Sequence, residues 1–211
     1  MKKIIVFGAT GGTGKEVVKQ ALEKGYEVTA IVRKPAAFDL QHPHLKIIKG
    51  DVLEPATFEK EIQGNGAVLS CLGTTSTKFT TLYSEGIVNI ISAMNKAGVK
   101  RLLCITALPL YLNDEMGFFL KAITKITLEP ILKNPYNDMR LMETKVESSN
   151  LYWTIVRPPG LNKKPLTGKY RTAISSHISH PWSIARADLA HYMLSIIDNA
   201  ETFKSKTEIS Y

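Results

Sequence analysis

An apolar strand that runs straight into spaced glycines and out into a helix leaves a chain few folds to adopt. Here Lys3-Ile4-Ile5-Val6-Phe7 is followed by Gly8-Ala9-Thr10-Gly11-Gly12-Thr13-Gly14 and then by Lys15-Glu16-Val17-Val18. The glycines let the backbone turn tightly, bring main-chain N–H groups close to a pyrophosphate and aim the positive end of a helix at it. The helix behind carries Val17, Val18, Ala21 and Leu22 on one stripe and stops at Gly25. Three spaced glycines with Thr10 and Thr13 exceed what a βα turn alone requires, so Gly8, Thr10, Gly11, Gly12, Thr13 and Gly14 are the candidate phosphate-binding residues. In another register the same residues miss the P-loop pattern. Gly14-Lys15 supplies its Gly-Lys pair, but Ala9 stands where its first glycine belongs and Glu16 replaces the Ser or Thr that holds magnesium. Nucleotide hydrolysis is not expected.

The second strand, Tyr26 to Val32, ends in Arg33-Lys34, about twenty residues past the glycine turn, where an NAD site places an acid on the ribose. No acid stands there. A guanidinium at that place suits a 2′-phosphate, because its fork donates two charge-assisted hydrogen bonds where an aspartate would repel. Arg33 and Lys34 therefore point to NADP(H) rather than NAD(H), against the plainer reading of a solvated cationic loop.

Further strands are predicted at 44–49, 67–71, 101–105 and 152–157, with a short last strand near 207–210. Helices are predicted over 55–62, 84–96, 137–148 and 186–197. Ser84 to Lys96 has the clearest pattern, with Ile87, Val88, Ile90, Ile91 and Met94 expected inward and Gly98 as its stop. This alternation predicts an α/β protein, a single Rossmann domain over 1–211 whose doubly wound parallel sheet has the order 3-2-1-4-5-6 plus the last strand. Segments around 107–133 and 160–182 are expected to cover the substrate.

The net charge is +8, but the lysines are dispersed and no aromatic residues interleave with them as in an RNA-binding sheet, so a nucleic-acid partner is not expected. The positive field suits anionic small molecules instead. The apolar stretch from Met116 to Leu132 is broken by Lys121, Lys125 and Glu129 and falls short of a membrane span. Cys71 and Cys104 read as core thiols, and with no CxxC pair and no export signal the chain is expected in a reducing cytoplasm. His177 and His180 form an HxxH without a third ligand nearby, so no metal site is expected.

In a sheet of this kind ligands lie across the carboxyl ends of the strands. Those ends carry Gly50-Asp51-Val52, Leu72-Gly73-Thr74-Thr75, Thr106-Ala107 and Pro158-Pro159-Gly160. Asp51 can accept from an adenine amino group, or cap a turn. Val52, Leu72, Gly73 and Thr74 adjoin the sugar and phosphates, and Thr106, Pro159 and Gly160 belong to the nicotinamide end.

With these residues collected, the whole chain resembles the atypical short-chain dehydrogenase/reductases of the NAD(P)H-binding, NmrA-like group, most of all flavin reductases of the biliverdin-IXβ type. Besides the glycine turn and Val32-Arg33, the resemblance rests on Gly50-Asp51-Val52-Leu53, Ser84-Glu85-Gly86, Pro165-Leu166-Thr167-Gly168-Lys169-Tyr170 and Asp188-Leu189-Ala190-His191-Tyr192. It implies NADPH-dependent reduction of flavins or similar conjugated acceptors by a monomer, with Gly8, Thr10, Gly11, Thr13, Arg33, Asp51, Gly73 and Thr74 at matching cofactor positions. Thr106 replaces a serine near the nicotinamide, Gly160 a histidine beside the substrate, Thr75 an arginine, and Ala37 a second arginine near the 2′-phosphate. These departures set biliverdin itself aside.

The ordinary dehydrogenase mechanism needs a tyrosine and a lysine four residues later, the cation lowering the pKa of the phenol that protonates a carbonyl. Tyr136 and Arg140 only approximate this, and Tyr136 directly follows Pro135 at an expected helix start. Tyr136 and Thr106 are the candidate catalytic residues. Flavins and quinones need little acid catalysis and are the expected acceptors, stacked on an apolar platform from Leu108, Leu110, Tyr111 and Phe118. A different class of function, an NADP(H)-binding redox sensor without turnover, is equally compatible with the missing dyad.

Overall fold

Ile4 to Phe7 are buried without a break, which requires neighbours on both sides of the strand and helices above and below. The computed structural model, which describes residues 2–110, 122 and 124–211, supplies both. In chain order the strands are β1 (Lys3–Phe7), β2 (Glu27–Val32), β3 (Leu45–Lys49), β4 (Ala67–Ser70), β5 (Arg101–Ile105), β6 (Tyr152–Arg157), β7 (Gly160–Asn162), β8 (Arg171–Ile174), β9 (Ser183–Ala185) and β10 (Ser205–Ser210). The helices are α1 (Gly12–Glu23), α2 (Ser84–Ala97), α3 (Glu129–Glu147) and α4 (Arg186–Ser195).

Eight strands form one sheet in the order β3-β2-β1-β4-β5-β6-β10-β8. All neighbours are parallel except β8, which runs antiparallel to β10. Ile4 is paired with Val28 on one side and Ala67 on the other, so β1 lies where the strand order reverses, the place at which this architecture opens a cleft. On one face Val17, Val18 and Ala21 of α1 meet Leu189, Ala190 and Met193 of α4 over Ile4 and Val6. On the other, Ile87, Ile90 and Met94 of α2 and Met142 and Val146 of α3 cover Ile5, Phe7, Val68 and Trp153. Burial of such a side chain contributes roughly 1.5–3 kcal/mol.

Helix α2 ends where expected, with Gly98 left-handed at φ 72°. Its start has no local side-chain cap; Asp138 of α3 accepts from the amides of Tyr83 (2.8 Å) and Ser84 (3.2 Å) and puts a carboxylate at the positive end of the neighbouring helix. The order 3-2-1-4-5-6 predicted from the pattern is the order found, and several details differ. Val88 is 43% exposed rather than inward. The segment 55–62 forms two short 3₁₀ pieces, Pro55–Thr57 and Glu59–Ile62, because the Thr57 hydroxyl bonds the Glu54 carbonyl (2.6 Å) and the Asp51 amide (3.0 Å) in competition with a regular helix. Helix α3 begins at Glu129 after a π-helical turn, Thr124–Leu128, and carries Pro135 inside it rather than at its start.

The segment 160–182 has structure of its own. β7 pairs in parallel with β9, Gly160 opposite Ser183, as a small second sheet. Asp188 of α4 ties the segment down, accepting from the Thr167 amide (3.0 Å) and hydroxyl (2.9 Å), the Gly168 amide (2.8 Å) and the Tyr211 hydroxyl (2.6 Å). Among the described residues no helix is long and apolar enough to cross a membrane.

Candidate functional site

At the end of β1 the chain turns through Gly8, whose φ of 71° and whose contact with the residue after β4, where a Cβ would lie 2.3 Å from the Cys71 carbonyl oxygen, admit no side chain. A Cβ at Gly14 would lie 2.2 Å from the Gly8 carbonyl oxygen, so this glycine allows α1 to pack against the strand that leads into it. The Gly11 amide closes the turn on the Gly8 carbonyl at 3.0 Å, and the Lys15 amide bonds Gly11 at 2.8 Å. Between them the first-turn amides of Gly12, Thr13 and Gly14 have no side-chain cap, because the N-cap residue is Gly11. They are the donors that a phosphate would take.

The turn opens into a cleft of about 490 Å³ across the carboxyl ends of β1 to β6. Of the residues singled out in the sequence, Gly8, Thr10, Gly11, Gly12, Thr13, Arg33, Asp51, Val52, Leu72, Gly73, Thr74, Thr106 and Pro159 line it. A Cβ on Gly73 would meet nothing within 4 Å, so its backbone is open to close approach. Asp51 does two things: one carboxylate oxygen accepts from the Leu53 amide at 3.0 Å, and the residue faces the cleft.

Gly14, Lys34, Gly160, Leu108, Leu110 and Tyr136 are not among the lining residues. Gly14 lies beneath the turn, and a Cβ on Gly160 would come to 3.4 Å from the Trp182 carbonyl beside β9. The apolar platform is corrected in part: Leu108 and Leu110 are each 2% exposed, turned into the core by the 3₁₀ turn they form, while Tyr111 and Phe118 lie outside the described residues. Tyr136, expected at a helix start, is inside α3 and 6% exposed. Arg140 donates to the Leu110 carbonyl at 2.8 and 3.2 Å.

Three cleft features were not expected from the sequence. Arg186, the first residue of α4, reaches across the glycine turn and donates to the Asn162 carbonyl at 3.2 Å. A Cβ on Gly12 would lie 2.6 Å from its Cδ, so a second cation sits beside the phosphate donors. The sequence held one signal, since a cation at the first position of a helix opposes the macrodipole and calls for another reason. The second feature is Tyr83, whose hydroxyl accepts from the Thr74 amide at 3.1 Å and so holds the loop after β4; burial raises its phenol above the usual value. The third lies behind Thr106, whose hydroxyl donates to Glu143 at 2.7 Å. Glu143 is fully buried on α3 and is paired with Arg157 at the end of β6. Cys71 also lines the cleft, and burial pushes its thiol up to about 12, which leaves it protonated and a poor nucleophile.

An uncapped helix start behind a glycine turn, two arginines and a cleft that runs across the carboxyl ends of β1 to β6 fit a dinucleotide. The comparisons with known proteins agree. An uncharacterized chloroplastic protein of Arabidopsis thaliana is 29% identical over 188 residues, covering 79% of this chain and 62% of that protein. The photosystem II assembly factor Ycf39 of Synechocystis is 32% identical over 104 residues, 47% of this chain and 32% of that one, so the chain spans less than two thirds of the length of either relative. A short-chain dehydrogenase/reductase from Veillonella parvula, solved in complex with NADP, has the same fold, with a TM-score of 0.81 at 17% identity over 100% of this chain and 94% of that one. A family model described as NAD(P)H-binding matches residues 8–200, and the chain belongs to that family.

Proposed function

We propose that the protein is an NADP(H)-dependent reductase that passes hydride to a flavin, quinone or similar planar conjugated acceptor, acting as a monomer. The observation that carries this reading is Arg33. It stands at the end of β2 in the cleft wall, exposed, where a carboxylate would favour the unphosphorylated ribose. Bound NADPH supplies a hydride from its nicotinamide C4. The amides at the start of α1 and the Arg186 guanidinium would hold the pyrophosphate, Arg33 would hold the 2′-phosphate, and Gly73 and Thr74 would adjoin the sugar. The reduced acceptor needs one proton besides that hydride, and water would supply it. Among the described residues the cleft wall holds no Tyr–Lys pair that would protonate an isolated carbonyl, which favours acceptors whose conjugated rings take up the charge themselves. The resemblance to flavin reductases of the biliverdin-IXβ type supports the same acceptor class.

A second reading is an NADP(H)-binding regulator without turnover. It draws on the likeness to the Ycf39 assembly factor and on the lack of a Tyr–Lys pair among the described cleft residues. One assay separates them: NADPH oxidation by the purified protein with FMN, riboflavin and a quinone, with NADH and Arg33→Glu as controls. NADPH-selective turnover weakened by Arg33→Glu supports the reductase. Tight NADPH binding with no turnover on any acceptor rejects it in favour of the regulator.

A further inference from the structure

Thr106 lines the cleft at the end of β5, yet its one hydroxyl proton is already committed. The oxygen lies 2.7 Å from Oε1 of Glu143. Arg157 donates to both oxygens of the same carboxylate, through Nε to Oε1 at 3.1 Å and through its terminal nitrogen to Oε2. A carboxylate paired in this way has no proton and only accepts. The shared proton therefore belongs to Thr106 and points away from the cleft, and the oxygen has only lone pairs left to offer a ligand.

We propose that Thr106 meets the ligand as a hydrogen-bond acceptor, not as a proton donor, and takes an N–H of the cofactor's carboxamide. Glu143 and Arg157 are then positioning residues that fix the polarity of Thr106. The assignment rests on the dinucleotide reading. With the phosphates at the glycine turn after β1 and the adenosine end at Arg33 after β2, the nicotinamide half extends toward β5, and its carboxamide is the group there that brings an N–H donor. The site should accordingly select pyridine rings that bear an amide. A ketone in the same place brings an acceptor against an acceptor, and a carboxylate brings a full negative charge against the same lone pairs.

The test is binding, so it does not depend on turnover. Dissociation constants of the full chain are measured by calorimetry for NADP⁺, its 3-acetylpyridine analogue and its nicotinic acid analogue, in the unaltered protein and in Thr106→Val, Thr106→Ser and Glu143→Gln. The unaltered protein should prefer the amide over the ketone by about tenfold, the share of one net hydrogen bond, and the acid should bind weakest. Thr106→Val should abolish the preference by weakening the amide alone, and Thr106→Ser should restore it. Glu143→Gln, whose side-chain amide can donate to Thr106 and turn its proton into the cleft, should shift preference toward the ketone. If that variant does not fold, the two Thr106 variants decide. Equal affinity of the unaltered protein for amide and ketone, or an equal loss for all three ligands in Thr106→Val, overturns the proposal. Amide-selective binding without turnover of any acceptor would reject the reductase and leave the acceptor role of Thr106 standing.

Discussion

Gly12→Ala gives the sharpest test of how the glycine turn and α4 cooperate. A methyl group on Gly12 would lie 2.6 Å from Cδ and 2.8 Å from Nε of Arg186, inside the contact distance of any real side chain. What must give is a flexible side chain and not backbone, and alanine suits the first turn of a helix, so the fold should survive with its melting temperature within about 3 °C of the parent. The guanidinium, however, has to leave its place beside the phosphate donors. A charge-assisted hydrogen bond is worth about 1.5–3 kcal/mol, so its loss weakens NADPH binding on the order of 10- to 100-fold. Arg186→Met should cost about the same. If the methyl acts through the arginine, adding Gly12→Ala to Arg186→Met should cost less than about twofold more, a strong departure from additivity for two residues in contact. Calorimetric titration with NADPH at one fixed ionic strength measures all four corners, with salt held constant because part of the effect is screened. Fully additive losses, or an Arg186→Met protein that binds NADPH as well as the parent, would refute the argument.

Glu143→Ala removes a fully buried carboxylate to which both Thr106 and Arg157 donate, and breaking such a pair costs about 3–5 kcal/mol; thermal unfolding should show a melting temperature lower by roughly 6–20 °C, and an unchanged transition would count against the pair. Burial pushes the Asp188 carboxyl up, but the hydrogen bonds from Tyr211, Gly168 and Thr167 outweigh it and hold the group below the ordinary carboxylate range. Its contribution is thus complete above about pH 5 and is lost as the pH falls past the unfolded value of about 4 and through the lowered folded value, so urea midpoints should drop as the pH falls below about 5, and drop less in Asp188→Asn. Both cysteines are buried and free, and burial raises both thiols. Iodoacetamide at pH 8 should leave the native protein unlabelled and modify both residues after denaturation, as read by mass; rapid native labelling of Cys71 would contradict its burial and its raised thiol.

What the sequence revealed of this molecule was whatever is written locally. β1, the glycine turn and α1 were legible because an apolar run, spaced glycines and a 3.6-residue stripe follow one another, and each constrains the next. The strands over 101–105 and 152–157 were placed to the residue, since unbroken apolar runs mark buried parallel strands. β7, β8 and β9 were missed because strands of three or four residues such as Arg171-Thr172-Ala173-Ile174 have no periodicity long enough to read; their partners define them. Arg186 was missed because its place over Gly12 is a contact between distant parts of the chain. Glu143 could have been found. It sits among Met139, Met142 and Val146 on the buried stripe of α3, and a charge on that stripe needs a buried partner, which Arg157 provides at the end of an apolar strand.

The borrowed cap between α3 and α2 has a consequence for how the molecule breathes. The first turn of α2 cannot keep its amides satisfied once Asp138 departs, so any opening that lifts α3 from the sheet also frays the start of α2, and the two helices should exchange their amide hydrogens as one unit. Tyr83 belongs to that junction through its backbone and to the cleft through the Thr74 amide. A ligand that stills the loop after β4 therefore slows the opening of α3 by a route besides its own contact with Met139 in the cleft wall, and exchange along α3 reports whether the cleft is filled.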